Sequence, residues 1–351
     1  MKTSLASVQD SLTCSCLLMK AHKNKFHVPS WPVCSCSRTL LEPLGRAVNK
    51  LLQPHAQTQP CCLKNSDHLK QKLEASGTLP PHSYLFTCDA QSMHANLHVD
   101  HATSCIKTCL SSLNDESIII NATVSGLNLR MHNNIFRFGD CVFLQINGTA
   151  MGTPAGPPLA QISFGTHEMA IVPTFLPNLS CHHHHIDDGF CIWTVASTST
   201  DQEQWQHFQD QMNSFPGLTW DFSDQLKHVD FLDMTICIGD DNRVHTAPCE
   251  KPLNLHLHLP PHSSHPPGAL LGLICCNVRR IYTLCSDPLD RIARTKDMLH
   301  HLLSRGCKSQ QLLPVFHKAM HKAKGTCVPP LTTDDNSNPT FRTAESPLRL
   351  L

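Results

Sequence analysis

Apolar and polar positions follow two periods along this chain, and each change of period marks an element. LLEPLGRAVNKLLQP, starting at residue 40, places Leu41, Leu44, Val48, Leu51 and Leu52 at helical spacing, with Pro54 expected to end the helix. YLFTC, Tyr84 to Cys88, is a short apolar run read as a strand that delivers Asp89 at its end. A helical or irregular region follows. In IFRFGDCVFLQI, residues 135–146, two apolar runs flank Gly139-Asp140, the pattern of a hairpin. The loop NGTAMGTPAGPP then opens an apolar helix near Leu159, with Pro157 and Pro158 in the first turn, where a missing N–H is tolerated.

HHHHIDDGFCIWTV, residues 182–195, reads as strand, turn, strand, with Asp187 and Asp188 at the turn. A polar helix is expected over 202–214, and FPGLTWDFS, HVDFLDMTICIG and NRVHTAPC supply further strand-like segments. The C-terminal third changes character. Asp287 before Pro288 is a helix start, and Leu289, Ile292, Leu299, Leu302 and Leu303 repeat at helical spacing up to Arg305-Gly306. Arg291, Arg294 and Lys296 fall on the other face. A second helix is expected from Ser309 to Lys324, and the tail after Val328 has too little apolar content to order itself.

At 351 residues and 40% hydrophobic content, the chain can build two or three cooperating subdomains around a buried core. No apolar run approaches the roughly 18 residues that span a bilayer, and the first twenty residues lack an export signal. The chain therefore reads as intracellular, in nucleus or cytoplasm, with no membrane association and no secretion. Nineteen cysteines are scattered and odd in number, which favours free thiols over a disulfide framework. The pairs Cys14-x-Cys16 and Cys34-x-Cys36 lack the second pair of a zinc finger.

Net charge is zero, but it is unevenly spread. Residues 1–80 carry ten Lys/Arg against four Asp/Glu, residues 81–249 five against seventeen, and residues 250–351 thirteen against seven. Basic arms around an acidic middle suit a protein whose flanks hold a polyanion and whose centre collects divalent cations. Nucleotidyl transfer has that need, with two ions about 4 Å apart held by a few carboxylates. Asp187 and Asp188 at a hairpin turn, with Asp89 from another strand end, could meet it. An Asp-Asp pair is by itself as often a solvated turn.

The order of the motifs adds to this. QINGTAMGTPAGPPLAQ (Gln145 to Gln161) resembles the "Q-x-x-G-T-A-M-G-[ST]-P" element of Penelope-like reverse transcriptases, and NNIFRFGDCVFLQ leads into it as in that family. In the same order, DAQSMHANL resembles their "D-V-x-S-L-Y-T-N-I", HHIDDGFCIW their "R-Y-I-D-D-x-F-x-I-W", and HVDFLDMTI their "I-x-F-L-D-x-x-I". Lys251-Pro252 with Ser264-His265-Pro266, then Arg305-Gly306-Cys307, are similar to later family motifs, so the resemblance covers about residues 22–325.

The resemblance implies an α+β right-hand polymerase fold, with a fingers region over 1–79, a palm with fingers insertions over 80–260, a helical thumb-like region over 261–327 and a tail over 328–351. It implies an RNA-directed DNA polymerase of a retroelement, working with an RNA template, a DNA primer, deoxynucleoside triphosphates and two Mg²⁺ ions, with Mn²⁺ as a substitute. In that picture Asp89, Asp187 and Asp188 hold the metals. Ala90, His94, Gln145, Met151 and Gly152 meet nucleotide or template. Phe231, Leu232, Asp233, Lys251, Arg291 and Arg294 meet the primer from the grip and thumb.

Departures from the family pattern keep a second reading open. Trp31 stands where the family has a triphosphate-contacting arginine, with Lys23 and Lys25 nearby as substitutes. His94 stands where it has the aromatic that excludes a ribose 2′-hydroxyl. The alternative is a catalytically degenerate copy that retains only nucleic-acid binding. A third reading is a zinc-binding interaction protein using Cys and His. The four-histidine run is assigned no catalytic metal, because Mg²⁺ prefers oxygen donors.

Overall fold

The computed structural model describes residues 12–19, 30–34, 36–37, 39–113, 115–149, 151–176, 178–196, 200–250, 256–258, 260–266 and 268–326. Lys23, Lys25, Lys251, the Trp31 side chain and the tail expected over 328–351 lie outside the described residues.

The chain opens with β1 (Thr13–Met19), β2 (Ser30–Cys34), α1 (Glu42–Gln57), α2 (Ser66–Ala75) and β3 (Ser83–Ala90). Next come α3 (Met93–Asn96), α4 (Val99–Ser112), α5 (Ser117–His132), β4 (Ile135–Phe138), β5 (Cys141–Leu144) and α6 (Gly156–Ile171). β6 (Leu179–His185), β7 (Asp188–Thr194), α7 (Asp201–Met212), β8 (Trp220–Phe222), β9 (His228–Phe231), β10 (Met234–Ile238) and β11 (Val244–Pro248) follow. Three helices close the series, α8 (Ala269–Leu284), α9 (Pro288–Ser304) and α10 (Ser309–Thr326). They partition into two compact units, one of Met1–Lys64 with His82–Leu226, the other of Asn65–Pro81 with Lys227–Leu351.

In the first unit an antiparallel sheet of order β6-β7-β3-β8 carries the core. Successive strand residues face opposite ways, so Phe86, Cys88 and Ala90 share one face with Cys191, Trp193 and Trp220. That face packs into a cluster with α4 and α6 residues such as Ile106, Leu159 and Phe164 and with Phe208 of α7. Phe86 meets Trp205 edge-on at 4.7 Å between centroids, and Phe164 lies 4.6 Å from Trp220. A second sheet, of order β2-β1-β4-β5, contains the expected hairpin with Phe138 opposite Cys141.

One expectation fails in α1. The helix does not stop at Pro54 but runs to Gln57, because the turn beyond the proline buries Ala56 completely beside Leu52. Packing outweighs the lost backbone hydrogen bond there.

The second unit pairs a three-stranded antiparallel sheet, β9-β10-β11, with α8, α9 and α10. Ile274, Val278, Leu299, Leu302, Phe316 and Met320 interlock in its helical core. Asp287 caps α9 as the sequence predicts, accepting hydrogen bonds from the N–H groups of Leu289 and Asp290. Among the described residues no helix is long and apolar enough to cross a membrane.

Candidate active site

β3 is buried or half-buried over its first six residues, then exposes Asp89 before closing on buried Ala90. Its register places Asp89 opposite Asp188 of β7 on one side and opposite Asp221 of β8 on the other. Residues paired across strands point to the same face, so three carboxylates stand in a row, with Cβ atoms of neighbours about 4.5–5.5 Å apart. Their face is the one opposite the α4, α6 and α7 packing. Asp221 is a member of this row that the sequence did not suggest. Gln91 Nε2 donates to its Oδ2 at 2.5 Å.

Asp187 reaches the same end of the sheet by a tight turn. His185 pairs with Asp188, leaving Ile186 and Asp187 as the two turn residues. Ile186 has φ of 59°, which a first turn position of the II′ type requires and a β-branched side chain disfavours. Two hydrogen bonds hold the strained turn. The Ala90 N–H donates to the Asp187 carbonyl at 2.9 Å, and His184 Nδ1 lies 3.2 Å from the Ile186 carbonyl. The carboxylate oxygens of Asp89, Asp187 and Asp188 do not all lie within 4.8 Å of one another. Hard oxygen donors from three residues at one sheet end are the kind of set that suits Mg²⁺.

The other residues assigned to nucleotide and template divide into two groups. Gln145 and Met151 line a cavity of about 410 Å³ together with Ser92, Ala95, Phe136 and Phe143. His94 stands beside it, with Nδ1 3.1 Å from Thr149 Oγ1, while the Thr149 N–H donates to the His94 carbonyl at 2.5 Å. Burial pushes the His94 imidazole below its ordinary range, partly offset by the Asp187 carboxylate, so at neutral pH it carries no charge. Gly152 is committed elsewhere. Its φ is 105°, and a Cβ there would stand 2.6 Å from the Cys34 carbonyl oxygen. The close backbone approach that this glycine permits is to β2, which the Met151 carbonyl also joins by accepting from the Cys34 N–H at 3.2 Å.

The four-histidine run resolves by strand alternation. His182 and His184 point inward onto Glu168 of α6, which is fully buried. His182 Nε2 lies 2.5 Å from Oε1, and His184 Nε2 lies 3.2 Å from Oε2 but off the hydrogen-bonding line. Burial alone would raise the Glu168 carboxyl. The charges of His184 and His182 outweigh it and hold the carboxyl well below the usual range. Burial would likewise lower His184, yet the Glu168 charge carries it above its ordinary value. Cys61, Glu168 and His182 also have ligand atoms within 4.8 Å of one another.

In the second unit the residues assigned to the primer behave differently from the expectation. Phe231-Leu232-Asp233 does form a hairpin, with Phe231 paired to Met234 and Leu232 at φ of 54°. Phe231 is buried, however, and Asp233 is an internal clamp. Its carboxylate accepts from Ser66 of α2 and from Arg280 Nε at 3.0 Å, while its carbonyl accepts from Arg280 and from the Cys249 N–H. The two thumb arginines are also engaged. Arg291 donates twice to the Cys285 carbonyl, and Arg294 binds Asp290 and the Pro248 carbonyl. Asp233→Ala is therefore expected to lower stability by about 1 kcal/mol, since the ion pair is half-exposed but the Ser66 bond is lost with it. A urea titration checks this, and an unchanged midpoint contradicts it.

No protein-family model matches the chain, and no curated protein sequence does. Solved structures do match. Telomerase from Candida albicans in complex with a TWJ fragment of telomeric RNA aligns at a TM-score of 0.58 and 9% identity, over 89% of this chain and 55% of that one. The RNA-dependent RNA polymerase of a human picobirnavirus aligns at 0.54 and 10% identity, over 90% and 60%. Telomerase from Candida tropicalis without ligand aligns at 0.52 and 9% identity, over 90% and 58%. The chain thus has a mixed helix-and-sheet fold like that of these telomerases and this RNA-dependent RNA polymerase, and it spans a little over half the length of these neighbours.

Proposed function

We propose that this chain is the polymerase portion of a retroelement reverse transcriptase similar to the Penelope-like group, extending a DNA primer on an RNA template. One observation carries the reading. Asp89, near the end of β3, stands in register with Asp188 of a hairpin whose turn holds Asp187, and all three are exposed at one end of the sheet. The ordered series of motifs from DAQSMHANL through HVDFLDMTI favours the reverse-transcriptase branch of the fold.

The donor set fits two hard divalent cations, Mg²⁺ or Mn²⁺, held by Asp89, Asp187 and Asp188. When bound, such ions stabilise negative charge on the attacking and leaving oxygens. The chain's own residues do the rest. The Ala90–Asp187 hydrogen bond fixes the turn against β3, so the aspartates share one frame. Gln145 and Met151 wall the cavity in which a templated base pair would be held, and His94 stands behind it against Thr149, which also lines it. The N-terminal and C-terminal basic segments meet phosphates without reading sequence.

Purified protein given a primed RNA template, deoxynucleotides and Mg²⁺ should extend the primer, and the double variant Asp187→Asn, Asp188→Asn should not. Equal extension by both proteins refutes the assignment. No extension by either, with binding that weakens steeply as salt rises, selects the degenerate copy that only binds nucleic acid.

A further inference from the structure

The second unit contains a group of three histidines that the polymerase reading does not use. His256 and His258 belong to a three-residue turn, in which the His258 N–H donates to the His256 carbonyl at 2.7 Å. His301 comes from the last turns of α9. The rings of His256 and His301 stack at 4.0 Å between centroids, with His258 6.2 and 6.3 Å from them. One nitrogen from each residue lies within 4.8 Å of the other two.

Three features single this cluster out. His258 Nε2 is buried and has no hydrogen-bond partner, which costs stability unless something fills the position. All three rings line a cavity of about 510 Å³, so there is room beside them. Glu250 lines the same cavity with its carboxylate 3.5 Å from His256 Nε2, an oxygen acceptor where metal-bound imidazoles commonly have one.

We propose that His256, His258 and His301 form a binding site for one zinc ion. Imidazole nitrogens suit zinc and other late first-row cations, whereas Mg²⁺ keeps to oxygen, so this site is separate in chemistry from the carboxylates of the first unit. Three nitrogens leave a fourth position facing the cavity, for water or Glu250. The ion would tie the 256–258 turn to α9, a connection already begun by Arg305 Nε, which donates to the His258 carbonyl at 3.0 Å. Its role is to clip a non-helical segment onto the helical core of that unit.

The test uses the full chain, stripped with chelator and titrated with zinc alone against a chromophoric competitor. One equivalent should bind, and at a hundredfold excess over the dissociation constant the melting temperature should rise by about 5 °C. His258→Ala and His301→Ala should each weaken binding by more than about 100-fold, because even outer-shell partners of a metal are worth 10–100-fold. Cys61→Ser separates this site from the Cys61, Glu168 and His182 group, and should leave the affinity unchanged. Cobalt substitution should give a spectrum without thiolate charge transfer. Undiminished affinity in both histidine variants, loss of binding in Cys61→Ser, or no stoichiometric zinc in the unaltered protein each overturns the proposal.

Discussion

Asp89→Asn is expected to abolish primer extension and at the same time to make the metal-free protein more stable. The two effects have one cause. Asp89 sits between Asp188 and Asp221 in adjacent strands, and like charges directly opposite across a sheet repel. Removing the middle charge relieves both pairs, which is worth on the order of 1 kcal/mol on an exposed face. The amide keeps the shape and the β3 ladder. Activity should nevertheless fall by about 10³-fold or more, because an asparagine cannot replace a charged ligand to a cation that supplies several kcal/mol of transition-state stabilisation. A melting curve with and without Mg²⁺ completes the test. Added Mg²⁺ should raise the midpoint of the unaltered protein and move that of the variant much less. If the variant extends primers normally, or melts lower than the parent, Asp89 is not a metal ligand held against its neighbours' repulsion.

The β3 strand and the 135–146 hairpin could be anticipated because apolar runs and turn residues coincide there, as could a turn between β6 and β7, although it falls at Ile186-Asp187, one residue before the expected Asp187-Asp188, with Asp188 already in β7. Helix α5 could not. Its apolar residues circle the whole helix, leaving Ile118 and Ile119 exposed, so no single face stands out in the sequence. α2 is short and polar, and only Asn65, which caps it, gave a local sign. Asp221 escaped notice because three residues of strand give almost no pattern, although Trp220 and Phe222 around it already alternate with it. The motif around Asp233 predicts a primer contact, whereas its clamp to Ser66 and Arg280 spans more than 160 residues on one side, beyond any local signal. The two histidine groups show the same limit. His256-x-His258 and His182-x-His184 are legible spacings, but His301 and Glu168 are supplied by the fold.

Glu168→Gln is expected to have the largest effect on stability, and its size should depend on pH. The unaltered pair works as follows. His184 is raised above its ordinary 6.5, so its contribution is complete below that value and fades as pH rises through the folded value. Glu168 is lowered from 4.5, so its contribution is complete above that value and fades only in strong acid. Both act fully between about pH 4.5 and 6.5. Glutamine removes the counter-charge, so the buried His184 imidazole is left uncompensated or must give up its proton, and breaking such a buried pair costs about 3–5 kcal/mol near pH 5.5. At about pH 8.5 the imidazoles of the unfolded chain are neutral too, and the penalty should shrink. Urea unfolding of both proteins across that range reads the difference directly, and parallel curves would refute the pairing. Catalysis should feel the change as well. His184 Nδ1 meets the carbonyl of Ile186, the strained residue next to Asp187, so an imidazole that shifts when its Glu168 partner is lost loosens the turn that carries Asp187. Primer extension by the variant should therefore fall even near pH 8.5, where it is still folded, and restoration of full activity there would confine Glu168 to stability alone.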